Sequence, residues 1–194
     1  MKTETLILIL IAAAVVVAAG LGIWYAMRRQ RSQNLREKFG PEYDLTMEKT
    51  GDQRTAEKTL GEREKRVVKL DIRALDQNER DRYHGEWTQI QADFVDDPSK
   101  SVKEANRLIT EVMIARGFPV ADFEQRTADL SVMYPDFISN YRNANVIALK
   151  NQRNEASTEE LRQAMVYYRS LFEELLGTVE VKEVEAKGEE PLTQ

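Results

Sequence analysis

The distribution of apolar positions changes sharply along this chain. Leu6 to Met27 (LILILIAAAVVVAAGLGIWYAM) holds 22 residues without a charge, which at 1.5 Å per residue makes a helix of about 33 Å. A bilayer's hydrocarbon core is about 30 Å thick, so the pattern predicts a transmembrane helix over residues 5–27. In lipid the backbone polar groups must be bonded within the segment, which excludes an isolated strand. Trp24 and Tyr25 fall where an interfacial aromatic belt is expected, and Arg28, Arg29 and Arg31 close the segment. A cleaved signal peptide is the competing reading, with Lys2 as its basic end, Leu6 to Val16 as its apolar core and Val17-Ala18-Ala19 as its cleavage site. The apolar run continues for eight residues past Ala19 into a basic cluster, which favours a retained anchor.

Beyond Met27 the pattern is helical and far more polar. Residues 28–70 read as a basic juxtamembrane segment followed by a charged helical spacer. Arg28 to Phe39 continues the first helix until Gly40-Pro41 breaks it, so FGPEYD reads as a joint. Thr50 to Leu70 is dense in both signs of charge, and Glu57, Glu62, Lys65 and Arg66 can pair along a solvated face. Within it, RVVKLDI is the one short candidate for a strand.

Residues 71–177 read as the helical domain. Asp76 and Glu79 have capping-box spacing, and Tyr83, Trp87, Ile90 and Phe94 follow on one face. Asp97-Pro98 opens the next helix, with Val102, Ala105, Ile109, Val112 and Met113 inward and Gly117 as its stop. A short helix carries Phe123, Leu130 and Met133. Pro135 opens another, with Phe137, Tyr141, Ala144 and Ala148 inward, and Asn151 to Ala156 reads as a polar connection. Ser157 and Glu160 form a second capping box ahead of Leu161, Met165, Tyr168, Phe172 and Leu175. The stripes of Trp87 and Phe172 are the richest, so they are expected to share one core. Residues 178–194 read as an acidic disordered tail. The expected fold is all-α: a single N-terminal transmembrane helix followed by a cytoplasmic bundle of four or five helices.

Charge adds orientation. Arg28, Arg29, Arg31, Arg36 and Lys38 crowd one side of the apolar run against Lys2 on the other, which places the domain in the cytoplasm, at the inner (plasma) membrane. The same five cations are candidate contacts for anionic lipid headgroups of the bilayer, or serve topology alone. Ala14, Ala18, Gly22 and Ala26 recur every four residues, a candidate face for a transmembrane homodimer. Net charge is −5 despite the basic collar, so the distal part is acidic, which argues against nucleic acid as a partner. Zero cysteines exclude disulfides, thiolate nucleophiles and cysteine-ligated zinc.

Candidate chemistry is sparse. His84 is the lone histidine, so a histidine-rich zinc site cannot be built, and with Asp81 it reads as a surface residue. The glycines form no phosphate loop. Arg126 and Arg142, among aromatic residues of consecutive helices, are a weak candidate polar site for a carboxylate or phosphate. The plainer expectation pairs them with Glu124, Asp129 or Asp136. No catalytic, metal or cofactor residue is assigned and no cofactor is expected.

The segments FGPEYD, IQADFVDDP, RGFPVADFEQRTADLSV, NYRNANVIAL and STEELRQAMVYYRSLFEELL together resemble a bacterial family of membrane-anchored or secreted proteins with no established activity. The resemblance covers roughly residues 39–177 and implies a hydrophobic anchor and a helical C-terminal domain. The expected function is a membrane-tethered interaction or scaffold module with a protein partner of unknown identity. The alternatives are a small hydrolase or transferase using carboxylates and arginines, and a helical lipid-binding domain. An enzyme should present a concave pocket of convergent polar groups, a binding module an apolar groove.

Overall fold

A computed structural model describes residues 2–119 and 121–177, with side chains from residue 16 onward. The described residues form eight helices and no strand, so the all-α expectation holds. In order these are α1 (Lys2–Phe39), α2 (Pro41–Thr50), α3 (Gln53–Val67), α4 (Gln77–Asp93), α5 (Pro98–Ala115), α6 (Phe123–Met133), α7 (Pro135–Gln152) and α8 (Thr158–Leu176). They group into two compact units, Met1–Val67 with Ala128–Asp136, and Val68–Thr127 with Phe137–Gln194. The tail expected to be disordered, 178–194, lies outside the described residues.

The first unit begins with one unbroken helix of 38 residues. It stops at Gly40, whose φ of 48° suits a residue without Cβ, and Pro41 then opens α2. Gly51, at φ 68°, closes α2 in the left-handed conformation and donates its N–H to the Met47 carbonyl at 2.8 Å. Asp52 restarts the chain by accepting from the Thr55 N–H at 2.8 Å. Ser32 meets Glu57 and Lys38 meets Glu64, so α3 runs in the same direction as α1. Leu35, Phe39, Tyr43 and Leu60 form the core, with Met47 and Val132 against it.

Within residues 28–70, read as a basic juxtamembrane segment and charged spacer, that packing encloses a narrow set of side chains. Ala56, Leu60, Gly61 and Val67 of α3 are buried, and so is Leu35 of the basic stretch. The physical reason is spacing: Ala56, Leu60 and Val67 fall on one face as a narrow apolar stripe.

The second unit is built on α5 and α8. Val102, Ala105, Leu108, Ile109 and Val112 of α5 are fully enclosed, as are Ala164, Tyr168, Leu171 and Leu175 of α8. Each large aliphatic side chain so buried contributes about 1.5–3 kcal/mol over an exposed one. Both expected capping boxes are present, at Asp76/Glu79 and Ser157/Glu160. The two aromatic stripes share a core as expected, since Trp87 of α4 lies on Phe172 of α8.

Three local expectations need revision. In α7, Ile138 takes the enclosed position and Phe137 is only half-buried. Asn151 belongs to α7 and is buried, because its amide donates to the Ser99 carbonyl at 2.9 Å and accepts from the Ser99 hydroxyl at 2.7 Å. RVVKLDI forms no strand. Its end crosses Gly117, where φ is 96° and an added Cβ would stand 2.2 Å from the Asp71 carbonyl oxygen. Just past it, the Arg73 N–H donates to the Arg116 carbonyl at 2.9 Å, at the end of α5.

Candidate functional site

The apolar run contrasts with the rest of the molecule in what covers it. Val16, Val17, Leu21, Ile23, Trp24, Tyr25 and Met27 are all more than half exposed, from 58% at Trp24 to 70% at Val16. A helix apolar on every side is normally enclosed by protein or by lipid. Among the described residues none encloses it from Val16 to Met27, and burial within the first unit starts only at Leu35. Among the described residues no helix is long and apolar enough to cross a membrane. The side chains of residues 6–15, which carry the other part of the expected span, lie outside the described residues. The described part, 16–27, is about 18 Å of helix, shorter than a hydrocarbon core. Of the small-residue stripe, Ala14 lies outside the described side chains, while Ala18, Gly22 and Ala26 are exposed.

Below that run the five candidate headgroup contacts divide into two groups. Arg28 lies over the Trp24 ring at 5.5 Å, and Arg28, Arg29 and Arg31 are exposed. Arg36 instead pairs with Asp44 at 2.9 Å and lies over the Tyr43 ring, while Lys38 pairs with Glu64. Those two cations are engaged within the first unit by carboxylates of α2 and α3.

Between the two groups sits a polar cluster that no local motif announces. One oxygen of Glu57 accepts from the Ser32 hydroxyl, from Gln53 at 2.8 Å and from the Tyr43 hydroxyl at 3.1 Å. Burial pushes the Glu57 carboxyl up, but these hydrogen bonds and the Arg28 charge outweigh it, so its pKa falls below the ordinary value. Tyr43 is held above the usual phenol range, first by burial and then by its bond to Glu57. Gln53 also donates to Ser32 at 2.9 Å, which fastens the start of α3 to α1.

Two buried carboxylates anchor the unit elsewhere. Glu42, 4% exposed, pairs with Arg63 at 2.8 Å. Asp129, 1% exposed, pairs with Arg66 at 2.6 Å. Such pairs are costly to break, because the remaining charge stays buried.

In the second unit, Arg142 lies 3.4 Å from Glu124, and Arg126 donates to the Thr110 hydroxyl at 3.2 Å. The Arg126 charge also reaches Tyr141 and Tyr168, but burial outweighs it and holds both phenols above their usual range. Arg116, which sequence reasoning passed over, is enclosed at 1% exposure. Its guanidinium donates to the Leu175 carbonyl at 2.9 Å and the Arg73 carbonyl at 3.3 Å, tying the ends of α5 and α8 to the preceding loop. Only its place at the C-terminal cap of α5, where cations meet free carbonyls, hints at that role.

Two open grooves mark this unit. One, of about 500 Å³, runs between α7 and α8 and includes Asn143, Val146, Ile147, Gln163 and Tyr167. Glu160 at its edge is occupied by Lys150 at 2.6 Å and by the Ser157 cap, which together hold its pKa at about 2. The other, of about 300 Å³, has Trp87, Phe172 and Leu176 as its apolar part and His84, Gln91, Arg169 and Glu173 as polar neighbours. Arg169 and Glu173 pair with each other at 2.6 Å. Among the described residues no group of three His, Asp or Glu side chains is placed to hold a metal ion. Searches of protein-family models, curated proteins and solved structures each return no match to this chain.

Proposed function

We propose that this protein is a single-pass membrane protein whose helical part is an interaction module held on the cytoplasmic side of the inner membrane. The observation that carries the reading is the uncovered apolar surface of α1 from Val16 to Met27. In water that surface costs free energy at about 25 cal/mol per Å². Lipid removes the cost, and the run of 22 uncharged residues has the length for it. Trp24 and Tyr25 then fall at the interface, with Arg28, Arg29 and Arg31 among the headgroups.

The interaction reading draws on the α7/α8 groove, in whose lining Val146 is 54% exposed. A carboxylate and arginine enzyme would need polar groups converging on an enclosed space. Here Glu160 is engaged by Lys150 and Ser157, and Arg169 by Glu173. A photo-crosslinking residue at Val146 of the full chain in native membranes should give discrete adducts, and the same residue at exposed Lys65 should not. Identical patterns at both positions would remove the groove from the account. Protease added to intact spheroplasts should leave the helical part uncut, and its digestion would reverse the orientation.

A further inference from the structure

The way α2 and α3 fold back along α1 brings a part of the chain far from the apolar run to within about five residues of its end along α1. Ser32 is five residues beyond Met27, about 7.5 Å along the helix axis. The polar layer on each side of a bilayer is about 5–7 Å thick, as the difference between its full and hydrocarbon thicknesses implies. Gln53 donates to Ser32 at 2.9 Å, and Glu57 accepts from it as well. The turn joining α2 to α3 therefore lies near the outer edge of that polar layer, about five residues past the end of the apolar run. Since α3 runs in the same direction as α1, its later turns lead away from that level.

Charges of both signs lie near this level. Arg28, Arg29, Arg31 and, from α3, Arg54 are exposed, and no salt bridge within the described residues engages them; Glu48 and Asp52, exposed at the same turn, are likewise in none. Farther from the run, Arg36 is taken by Asp44 and Lys38 by Glu64, and in the same unit Arg63 is taken by Glu42. Arg31 reaches along α3 to 3.5 Å from where a Cβ on Gly61 would stand, which leaves Arg28, Arg29 and Arg54 as the cations nearest the run that external anions can complete.

We propose that the α2–α3 turn is a second membrane contact, in which Arg54 joins Arg28 and Arg29 in binding the headgroups of anionic lipids. The inference rests on α1 being a membrane anchor. It gives the folded first unit a task the apolar run cannot perform, which is to read the surface charge of the bilayer and hold the unit against it. Attraction of this kind fades within a Debye length, so Arg54 must lie at the headgroup plane to take part.

The chain has no cysteine, so single cysteines can carry a fluorophore at chosen depths. The full-length protein would be labelled at Ile23→Cys, Glu48→Cys or Lys65→Cys, in vesicles of phosphatidylcholine with or without phosphatidylglycerol and a quencher on the lipid headgroup. Glu48, in the last turn of α2, and Lys65, late in α3, are both exposed, and 65 is eleven residues past 54, about 16 Å of helix. The expected result is quenching at 23 and 48 but not at 65, stronger at 48 with phosphatidylglycerol, and lost at 48 when Arg54→Glu is added. Quenching at 23 alone would overturn the second contact and leave the anchor standing. Equal quenching at 48 in both lipids, unchanged by Arg54→Glu, would overturn recognition of charge. No quenching at 23 would overturn the anchor and this inference together.

Discussion

Trp87 stacks on Phe172 with ring centroids 4.6 Å apart and planes 18° from parallel, although 85 residues separate them in the chain. Trp87 is 3% exposed and Phe172 1%. Truncating either to alanine should cost about 3–5 kcal/mol, because a large aromatic leaves a cavity its neighbours only partly close. Chemical denaturation of the full-length protein in detergent would read the loss. Unchanged midpoints for both variants would mean the stack contributes little to the core.

The end of α5 should be equally intolerant. Arg116→Ala removes charge-assisted bonds to the Leu175 and Arg73 carbonyls, each worth about 1.5–3 kcal/mol. Gly117→Ala places a Cβ against the Asp71 carbonyl at a φ of 96°. Both variants should lower Tm, with Gly117→Ala also shifting the loop before α4. Amide exchange over residues 71–76 would detect that shift, and protection equal to the parent's would contradict it.

These two examples mark what the sequence discloses and what it withholds. Both capping boxes and the Trp87 and Phe172 stripes are readable because each is a local pattern at helical spacing. The fold-back of α2 and α3 is harder to read, because Ala56, Leu60 and Val67 are the sparse apolar members of a charged stretch. Arg66 with Asp129, and Arg116 with Leu175, are pairings 63 and 59 residues apart that no local spacing encodes. The apolar surface of α1 was plain in the sequence, whereas the difference between Arg54 and Arg36 emerges only once the helices are placed.

Acid should weaken the second unit through its caps. The bond from Arg73, aided by the Asp76 N–H, holds Glu79 at about pKa 2, and Lys150 with Ser157 does the same for Glu160. Each carboxyl is depressed on folding, so its contribution is present above about pH 4.5 and is lost as pH falls toward 2. Stability of the parent should decline across that window, and Glu79→Gln with Glu160→Gln should flatten the decline. A decline of the same steepness in the double variant would assign it to other carboxylates. Because both groups are at the surface, added salt should shrink the effect.

Alkaline carbonate extraction of membranes from cells making the full-length chain, followed by intact-mass analysis, tests the membrane anchor most directly. The account predicts that the protein stays in the pelleted membranes with a mass that includes residues 6–27. Release into the supernatant, or a mass matching a chain that begins at Gly20, would contradict it. The uncovered apolar face of α1 would then require a protein partner or a cleaved leader in place of lipid.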